Sequence, residues 1–398
     1  MKIYEIGTGY TSIPAQISAA TEIVVEELTK AFLKQNIPVE IIDIAAENRA
    51  KSDLPIREVR VPKQFWGTDV QLGVLHKLKR VVYSIALVRV LRKLLKETNE
   101  KVVLHFHNQY NLFFFLKLTS VSLRRKCVIV YTNHSGIWRL PWSEIKGTIK
   151  KRYFQEMACM KQADLVFLLN EETKRNIVEH LGVKESAIVV IDNGVNTDVY
   201  HPLTTMQKQA IQKQLGLEKH KMILQVGSVY ENKGQLRSLE YLLPLLKRHT
   251  DLVFAYAGGI VDEAYHQQIL SFAEDQGLSQ QVRYLGMLSP GKALNELYNA
   301  ATVTILSSRF EAFVLVAIES LAAGVPVLID RMGPIQLNGG YIAYERETFV
   351  QMLEPIICSG VFAEYEKLCA EARVNAVECY SWDKIAQDYK NAWENLEK

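Results

Sequence analysis

Short apolar runs alternate with longer amphipathic segments along the whole chain. The apolar runs predict strands at residues 2–6, 39–44, 102–105, 128–132, 164–169, 187–191, 222–226, 252–257, 282–284, 303–306 and 325–329. Apolar positions recurring at helical spacing lie between them and predict helices, the longest over residues 21–35, 76–98 and 382–396. This alternation is typical of α/β domains with parallel sheets.

The strands form two series, separated by a segment with few apolar runs. We expect a first domain over residues 1–195, a second over 196–379, and a final helical segment over 380–398. At 398 residues the chain exceeds the usual size of one domain. The predicted fold class is therefore α/β, with two Rossmann-like doubly wound domains. Residues 45–72 have no clear period and are predicted to be irregular, and residues 196–219 are predicted to connect the domains.

The composition is that of a water-soluble globular protein, with 48% hydrophobic and 23% charged residues. Five scattered cysteines without a C-x-x-C pair argue against a disulfide framework and against a thiolate zinc site. A reducing compartment fits this pattern, so we expect a cytoplasmic protein. Residues 1–7 indicate a strand and a turn rather than a signal peptide.

Charge is distributed unevenly along the chain. Residues 1–195 carry 29 Lys and Arg against 20 Asp and Glu, a net of +9, whereas the remaining residues carry 18 against 24, a net of −6. The excess lies in the segment 49–101. Its helical part holds Lys77, Lys79, Arg80, Arg89, Arg92, Lys93 and Lys96. Three interpretations stay open: attraction to an anionic membrane surface, binding of an anionic acceptor such as a lipid pyrophosphate, and a solvated helix face.

Two carboxylates, Glu311 and Glu319, stand eight residues apart at the entry to a predicted helix that stops at Gly324. Eight helical residues advance about 800°, which is 80° beyond two full turns. If Glu311 lies in the loop before the helix, both acids can face the carboxyl edge of a parallel sheet, where such folds bind ligands. Ionised carboxylates accept hydrogen bonds from sugar and ribose hydroxyls. The alternative is a pair of solvated surface glutamates.

Lys233 lies in a glycine-flanked loop between a predicted strand and a helix. A cation beside free backbone N–H groups at a helix start suits a diphosphate. A surface lysine with no ligand is the plain alternative.

Three histidines follow two neighbouring predicted strands: His105 and His107 end one, and His134 ends the other. An imidazole at a strand end can hydrogen-bond a hydroxyl or a phosphate and can handle protons near neutral pH. By residue type the three could also hold zinc. Gly7 and Gly9 after the first strand could instead indicate a dinucleotide site, with Asp43 as its acid, but the third glycine of that fingerprint is missing.

Four segments in one order resemble the GT-B retaining glycosyltransferases of the family-4 type: residues 192–196, 226–234, 311–329 and 380–382. The resemblance runs along the whole chain and is stronger after residue 190. It implies two domains facing a central cleft, with the C-terminal helix crossing back to the first domain. It also implies transfer of a sugar from a UDP- or GDP-sugar donor to a glycan or lipid-linked acceptor in the synthesis of surface polysaccharides or glycoconjugates. No divalent metal, other cofactor or nucleic acid is implied.

The resemblance assigns roles to individual residues. His134 and Glu311 would be catalytic. The donor would bind at Ser228, Lys233, Leu288, Ala312, Phe313, Val314, Leu315 and Glu319. The acceptor side would hold Gly7, Gly9, Ser18 and His107.

Three positions depart from the family's pattern. Ser228 stands where an arginine is usual, so either the diphosphate is held less tightly or another arginine, such as Arg237 or Arg309, supplies the missing guanidinium. Val314 replaces a frequent glycine, which would narrow the phosphate site. Ser18 begins a Ser-Ala-Ala stretch where the family tends to have two glycines. These departures keep open a non-catalytic subunit that binds nucleotide sugars. A GT-B nucleotide-sugar epimerase is a second alternative.

Overall fold

The computed structural model describes residues 1–15, 19–66, 74–309, 311, 313–330, 341–358 and 362–397. The chain divides into two compact units, one formed by Met1–Gly194 with Trp382–Lys398 and the other by Val195–Ser381. The boundaries drawn from the sequence lie one and two residues away from this division. At the division Val195 donates its N–H to the carbonyl of Tyr380, which ties the two ends of the second unit together.

The first unit contains a seven-stranded parallel sheet in the order β3-β2-β1-β4-β5-β6-β7. Its strands are β1 Ile3–Ile6, β2 Val39–Ile44, β3 Ile56–Val59, β4 Val102–Phe106, β5 Cys127–Thr132, β6 Leu165–Leu168 and β7 Ile188–Val190. Its helices are α1 Ala20–Lys34, α2 Val74–Glu97, α3 Gln109–Leu118, α4 Val121–Arg124, α5 Gly147–Arg152, α6 Phe154–Gln162 and α7 Glu171–Leu181. The strand order reverses between β1 and β4, so the carboxyl ends of these strands border the switch point of the sheet.

The second unit contains a parallel sheet in the order β10-β9-β8-β11-β12-β13. Its strands are β8 Lys221–Val226, β9 Leu252–Ala257, β10 Val282–Tyr284, β11 Val303–Leu306, β12 Val327–Asp330 and β13 Tyr341–Tyr344. Its helices are α8 Thr205–Gln214, α9 Gln235–Arg248, α10 Glu263–Asp275, α11 Lys292–Ala300, α12 Leu315–Ala322, α13 Phe349–Cys358 and α14 Phe362–Tyr380. The switch point of this sheet lies between β8 and β11.

The last helix, α15 Trp382–Glu397, packs within the first unit. The Phe32 ring of α1 lies 5.1 Å from the Trp393 ring and 6.2 Å from the Tyr389 ring, measured between centroids. Gly194 allows the chain to approach this helix, because a Cβ there would lie 2.4 Å from the Trp382 ring. The apolar face of α15 thus completes the core on one side of the first sheet.

The predicted fold class, two doubly wound α/β domains with the last helix returning to the first, is confirmed. Two local predictions are wrong. Residues 45–72 are not wholly irregular, because β3 forms the edge of the first sheet with two exposed charged residues in its middle. The connector contains α8, which begins at a capping box formed by Thr204 and Gln207. In the part of the chain that the structure describes, no helix is both long enough and apolar enough to cross a membrane.

Candidate functional site

In the second unit, Lys233 and Glu311 form an ion pair at the switch point of the sheet. Lys233 lies in the turn after β8, and Glu311 lies in the loop after the neighbouring strand β11. The Lys233 Nζ is 2.5 Å from the Glu311 Oε1, although the residues are far apart in sequence. The two side chains are 21% and 16% exposed, so the pair is partly shielded yet reachable from solvent. The structure therefore brings together two residues that the sequence assigned to one site.

The turn that carries Lys233 is held by hydrogen bonds on both sides. The Gln225 side chain donates to the Lys233 carbonyl at 2.7 Å, and the Gln235 side chain donates to the Ser228 carbonyl at 3.0 Å. The stem of Lys233 passes over Gly227, where a Cβ would lie 3.5 Å from the Lys233 Cδ. These contacts fix the ammonium group relative to the sheet edge.

Glu319 belongs to a second polar group in the same unit. It lies on α12, and its Oε2 accepts a hydrogen bond from the Tyr298 hydroxyl at 2.9 Å. Burial raises the pKa of Glu319 to about 7, against the opposing effect of hydrogen bonds from Tyr298 and Tyr200. Its hydrogen bonds within the described residues run to these tyrosines rather than to Lys233 or Glu311. Glu319 can therefore change its charge near neutral pH.

The side chains at the start of α12 pack against the apolar core of the second unit. Val314 is 3% exposed and packs in the apolar core of the second unit. Its side chain points into this core, and the expectation that Val314 narrows the phosphate site stays a prediction. Phe313 packs against Tyr380 with ring centroids 6.3 Å apart, and Leu315 begins the helix. Phe313 and Leu315 are only half-buried, so their side chains as well as the backbone N–H groups of this segment are candidates for contact with a ligand.

For two other residues, Leu288 and Ala312, the donor-binding role stays a prediction. Leu288 is partly buried and packs against the core of the second unit. Ala312 lies outside the described residues.

The structure does not join Arg237 or Arg309 to the Lys233 pair. Arg309 binds Glu231 at 2.9 Å, and Arg237 lies 4.0 Å from Asp330. Both guanidinium groups line a cavity of about 450 Å³ whose described lining does not include Lys233, Glu311 or Glu319. The expected replacement for the family's arginine at position 228 is therefore not seen here.

In the first unit, five side chains form a hydrogen-bonded chain at the carboxyl ends of β1, β4 and β5. The Glu5 Oε1 lies 2.9 Å from the His105 Nδ1, and the Glu5 Oε2 lies 2.7 Å from the His107 Nε2. The His107 Nδ1 lies 3.0 Å from the His134 Nε2, and the His105 Nε2 lies 2.7 Å from the Thr132 hydroxyl. Glu5 and His105 are fully buried, whereas His134 is half-buried.

Glu5 was not identified from the sequence. The available signal was a carboxylate inside the apolar strand of residues 3–6, where a buried charge requires partners. Burial opposes ionisation, but the charges and hydrogen bonds of His105 and His107 hold the pKa of Glu5 at about 2. The carboxylate is therefore ionised and serves as the central acceptor of the chain.

A zinc site in this unit would use a different set of residues from the one that the sequence suggested. Among the described residues, the group with three possible ligand atoms within 4.8 Å of one another is Glu5, His105 and His107, without His134. Their separations of 2.7 and 2.9 Å are hydrogen-bond lengths. Both ring nitrogens of each histidine already have a partner, so protons satisfy this group without a metal ion.

Gly7 and Gly9 are required by packing. A Cβ on Gly9, which has φ +78°, would lie 2.1 Å from the Tyr83 ring, and a Cβ on Gly7 would lie 2.3 Å from the Asp43 Oδ1. Asp43 is fully buried and pairs with Arg49 at 2.9 Å. Asp43 therefore cannot reach a ribose, so the dinucleotide site that was the alternative for Gly7 and Gly9 has no acidic residue to bind it. Ser18 lies outside the described residues.

Two doubly wound α/β units, with the last helix returning to the first, are the architecture of the GT-B class of proteins. Family comparisons agree with this class. The Glycosyltransferase Family 4 profile matches residues 21–199, and the Glycosyl transferases group 1 profile matches residues 207–336. The two matches together span more than half of the chain. This chain belongs to the group 1 glycosyltransferases of the family-4 type.

One curated relative is an uncharacterized glycosyltransferase of Methanocaldococcus jannaschii. It is 27% identical over 242 residues, which are 57% of this chain and 59% of the relative. The chain spans about three fifths of the length of the curated relatives it matches.

Two solved structures have the same fold over the whole chain. The Anabaena HepE structure in complex with UDP-glucose is 14% identical with a TM-score of 0.70, and it covers 100% of this chain and 99% of its own. The catalytic domain of starch synthase IV from Arabidopsis thaliana, bound to ADP and acarbose, is 15% identical with a TM-score of 0.76, and 99% of each chain is covered.

Proposed function

We propose that this protein is a retaining glycosyltransferase that moves a sugar from a nucleotide-diphosphate donor to a glycan, glycolipid or lipid-linked acceptor. The observation that carries the proposal is the ion pair of Lys233 and Glu311 at the switch point of the second sheet. It offers a cation for phosphate and a carboxylate for sugar hydroxyls side by side. Family membership and the nucleotides named for the two structural neighbours support the same conclusion.

Lys233 would hold the donor diphosphate. On donor binding the phosphate oxygens replace Glu311 as partners of the ammonium group, and the freed carboxylate accepts hydrogen bonds from the donor sugar. Backbone N–H groups at the start of α12 add positive potential for the phosphates. When the sugar leaves, the same groups stabilise the charge that develops on the diphosphate. This arrangement needs no divalent metal ion.

Glu319 would bind the ribose of the donor. An ionised carboxylate accepts hydrogen bonds from two neighbouring hydroxyls at once. Tyr298 and Tyr200 donate hydrogen bonds to this carboxylate, and the ribose hydroxyls would use its remaining acceptor positions. The resemblance assigns this role, and the half-buried environment of Glu319 makes the contact stronger than it would be in water.

His134 of the first unit would have the catalytic role that the resemblance assigns to it. The acceptor would enter beside the loop that holds Gly7 and Gly9, near His107. Glycosyl transfer would then depend on positioning and charge stabilisation. Retention of the anomeric configuration follows the family's pattern and is part of the proposal.

The exposed face of α2 supports a role at an anionic membrane surface, where a lipid-linked acceptor would be available. Its basic residues on that face are Lys77, Arg89, Arg92, Lys93 and Lys96. Leu78 and Val81 on the same helix are 48% and 37% exposed. Lys79 and Arg80 do not contribute, because Lys79 donates to the Tyr10 carbonyl and Arg80 packs over the Tyr10 ring.

The proposal is tested by incubating the protein with UDP-, GDP- and ADP-sugars and with candidate acceptors. We expect one donor to be consumed only when an acceptor is present, with the donor's anomeric configuration kept in the product. Lys233→Ala and Glu311→Gln should each lower kcat/KM by about 100-fold. Lys292→Ala, which removes an exposed partner of Glu296 in the same unit, should leave turnover unchanged.

Three results would contradict this proposal. Conversion of the sugar nucleotide without an acceptor would indicate an epimerase. Nucleotide-sugar binding without any turnover would indicate a non-catalytic subunit. A product with inverted configuration would exclude a retaining enzyme.

A further inference from the structure

The hydrogen-bonded chain in the first unit determines which nitrogen of His134 carries a proton. Glu5 is an ionised carboxylate and can only accept hydrogen bonds. The His107 nitrogen that faces it, Nε2, must therefore carry hydrogen. Burial and the neighbouring His105 lower the pKa of His107 to about 4, so its ring is neutral at pH 7 and its Nδ1 has a lone pair.

The protonation of His107 determines which histidine donates the hydrogen bond between His107 and His134. The His107 Nδ1 and the His134 Nε2 are 3.0 Å apart, so one proton lies between them. Because the His107 Nδ1 is the acceptor, the His134 Nε2 must be the donor. Burial lowers the pKa of His134 well below its usual value, so the ring is neutral and its Nδ1 carries a lone pair. That Nδ1 has no hydrogen-bond partner among the described residues.

The hydrogen bonds of His105, on the other side of Glu5, are consistent with these donor and acceptor assignments. The His105 Nδ1 donates to Glu5, and its Nε2 faces the Thr132 hydroxyl, which can both donate and accept. The Tyr389 hydroxyl of α15 lies 3.5 Å from the Thr132 hydroxyl, and the Tyr389 ring lies 5.6 Å from the His105 ring between centroids. Helix α15 thus covers the buried end of the chain and keeps water from competing for its hydrogen bonds.

We propose that Glu5 and His107 are positioning residues that fix His134 in its Nε2–H tautomer and present its Nδ1 lone pair to a hydroxyl group of the substrate. A phosphate oxygen is a poor partner for this nitrogen, because both atoms would be acceptors. The sequence left hydroxyl and phosphate open for His134, and the chain of hydrogen bonds selects the hydroxyl. The inference rests on the proposed function only for the identity of the substrate as a sugar.

The direct test is the ring nitrogen NMR spectrum of the full chain labelled with ¹⁵N-histidine. His134 is assigned by its loss in His134→Asn. We expect a single Nε2–H tautomer for His134 and His107, and the less usual Nδ1–H tautomer for His105. This measurement needs neither substrate nor activity, so its result does not depend on the proposed function.

Two substitutions of His107 separate positioning from packing. In His107→Gln, the amide nitrogen donates to Glu5 and the amide oxygen accepts from His134, so the Nε2–H tautomer should be kept. In His107→Phe, a ring of similar size remains without either contact, and both tautomers of His134 should appear. With an active donor, His107→Phe should lower kcat at least about tenfold while His107→Gln keeps most of it.

Glu156→Gln is the matched control. Glu156 is another buried carboxylate of the same unit, and it binds Trp138, Asn133 and Tyr131 rather than a histidine. Its replacement should leave the His134 spectrum unchanged.

Three results would overturn the proposal: an Nδ1–H tautomer of His134 in the unaltered chain, an unchanged His134 spectrum in His107→Phe, or loss of the ring protons of His105 and His107 on adding one equivalent of Zn²⁺. Should His107→Phe fail to fold, the tautomers of the three histidines in the unaltered chain still decide the question.

Discussion

At the scale of single residues, the two glutamates of one motif have opposite environments. Glu311 pairs with the ammonium group of Lys233 at 2.5 Å. Glu319 lies half-buried beside Tyr298, and burial raises its pKa to about 7. Because the folded pKa is above the unfolded value, this carboxyl contributes stability at low pH and loses it as the pH rises through about 7.

This difference predicts how nucleotide binding depends on pH. If the ribose needs the ionised form of Glu319, the affinity for a nucleoside diphosphate should increase as the pH rises from about 6 to 8. Glu319→Gln should bind more weakly at pH 8 and lack this part of the pH dependence. Calorimetric titration of both proteins over this range checks the prediction, because titration of the phosphate is common to both. The same pH dependence in Glu319→Gln would contradict the assignment.

At this scale the sequence identified candidate site residues but not the side chains that bind them. Lys233 and Glu311 were identified because each stands in a loop after an apolar run, and parallel strands bring such loops to one edge. The sequence does not mark Tyr298 as a partner of Glu319, because a tyrosine on a helix is also a common core residue. Glu5 could have been found as a carboxylate inside an apolar strand, but only the three-dimensional structure shows that two histidines bind it.

At the scale of elements, apolar runs predicted the central strands well because such strands are buried on both faces. The edge strand β3 was missed because two of its four residues are exposed and charged. Helix α8 was missed because it has no buried residue to mark an apolar face. Apolar runs therefore do not reveal elements that are stabilised by pairing at a sheet edge or by capping.

The exposed basic face of helix α2 predicts binding to anionic membranes. Each basic residue near an anionic surface contributes about 1 kcal/mol of attraction. The protein should therefore sediment with vesicles containing phosphatidylserine at low salt, and much less at high salt. Arg89→Glu with Arg92→Glu should weaken vesicle binding by about tenfold or more.

The matched control for α2 reverses two exposed lysines of the second unit, Lys213→Glu with Lys219→Glu. These changes alter the net charge equally and should have little effect. Equal loss of binding in both double variants would mean that net charge, rather than the face of α2, attracts the protein. Absence of vesicle binding at low salt would remove the membrane role altogether.

At the scale of the whole molecule, the chain crosses between the two units twice, after Gly194 and after Ser381. The fold class could be predicted because the strand–helix alternation repeats in two series and the length demands two domains. The site could be predicted only as two separate sets of residues, one in each unit. The excess of basic residues in the first unit and of acidic residues in the second is visible in the sequence alone.

The proposed function depends above all on Lys233 binding a diphosphate in place of Glu311. Calorimetric titration of UDP, GDP and ADP into three proteins tests this point: the unaltered chain, Lys233→Ala and Glu311→Gln. We expect Lys233→Ala to weaken binding of the preferred diphosphate by about 10- to 100-fold, the effect of losing a charged hydrogen bond. Glu311→Gln should bind it equally well or more tightly, because the competing carboxylate is gone. Undiminished binding by Lys233→Ala, or equal weakening by both variants, would contradict the proposed function.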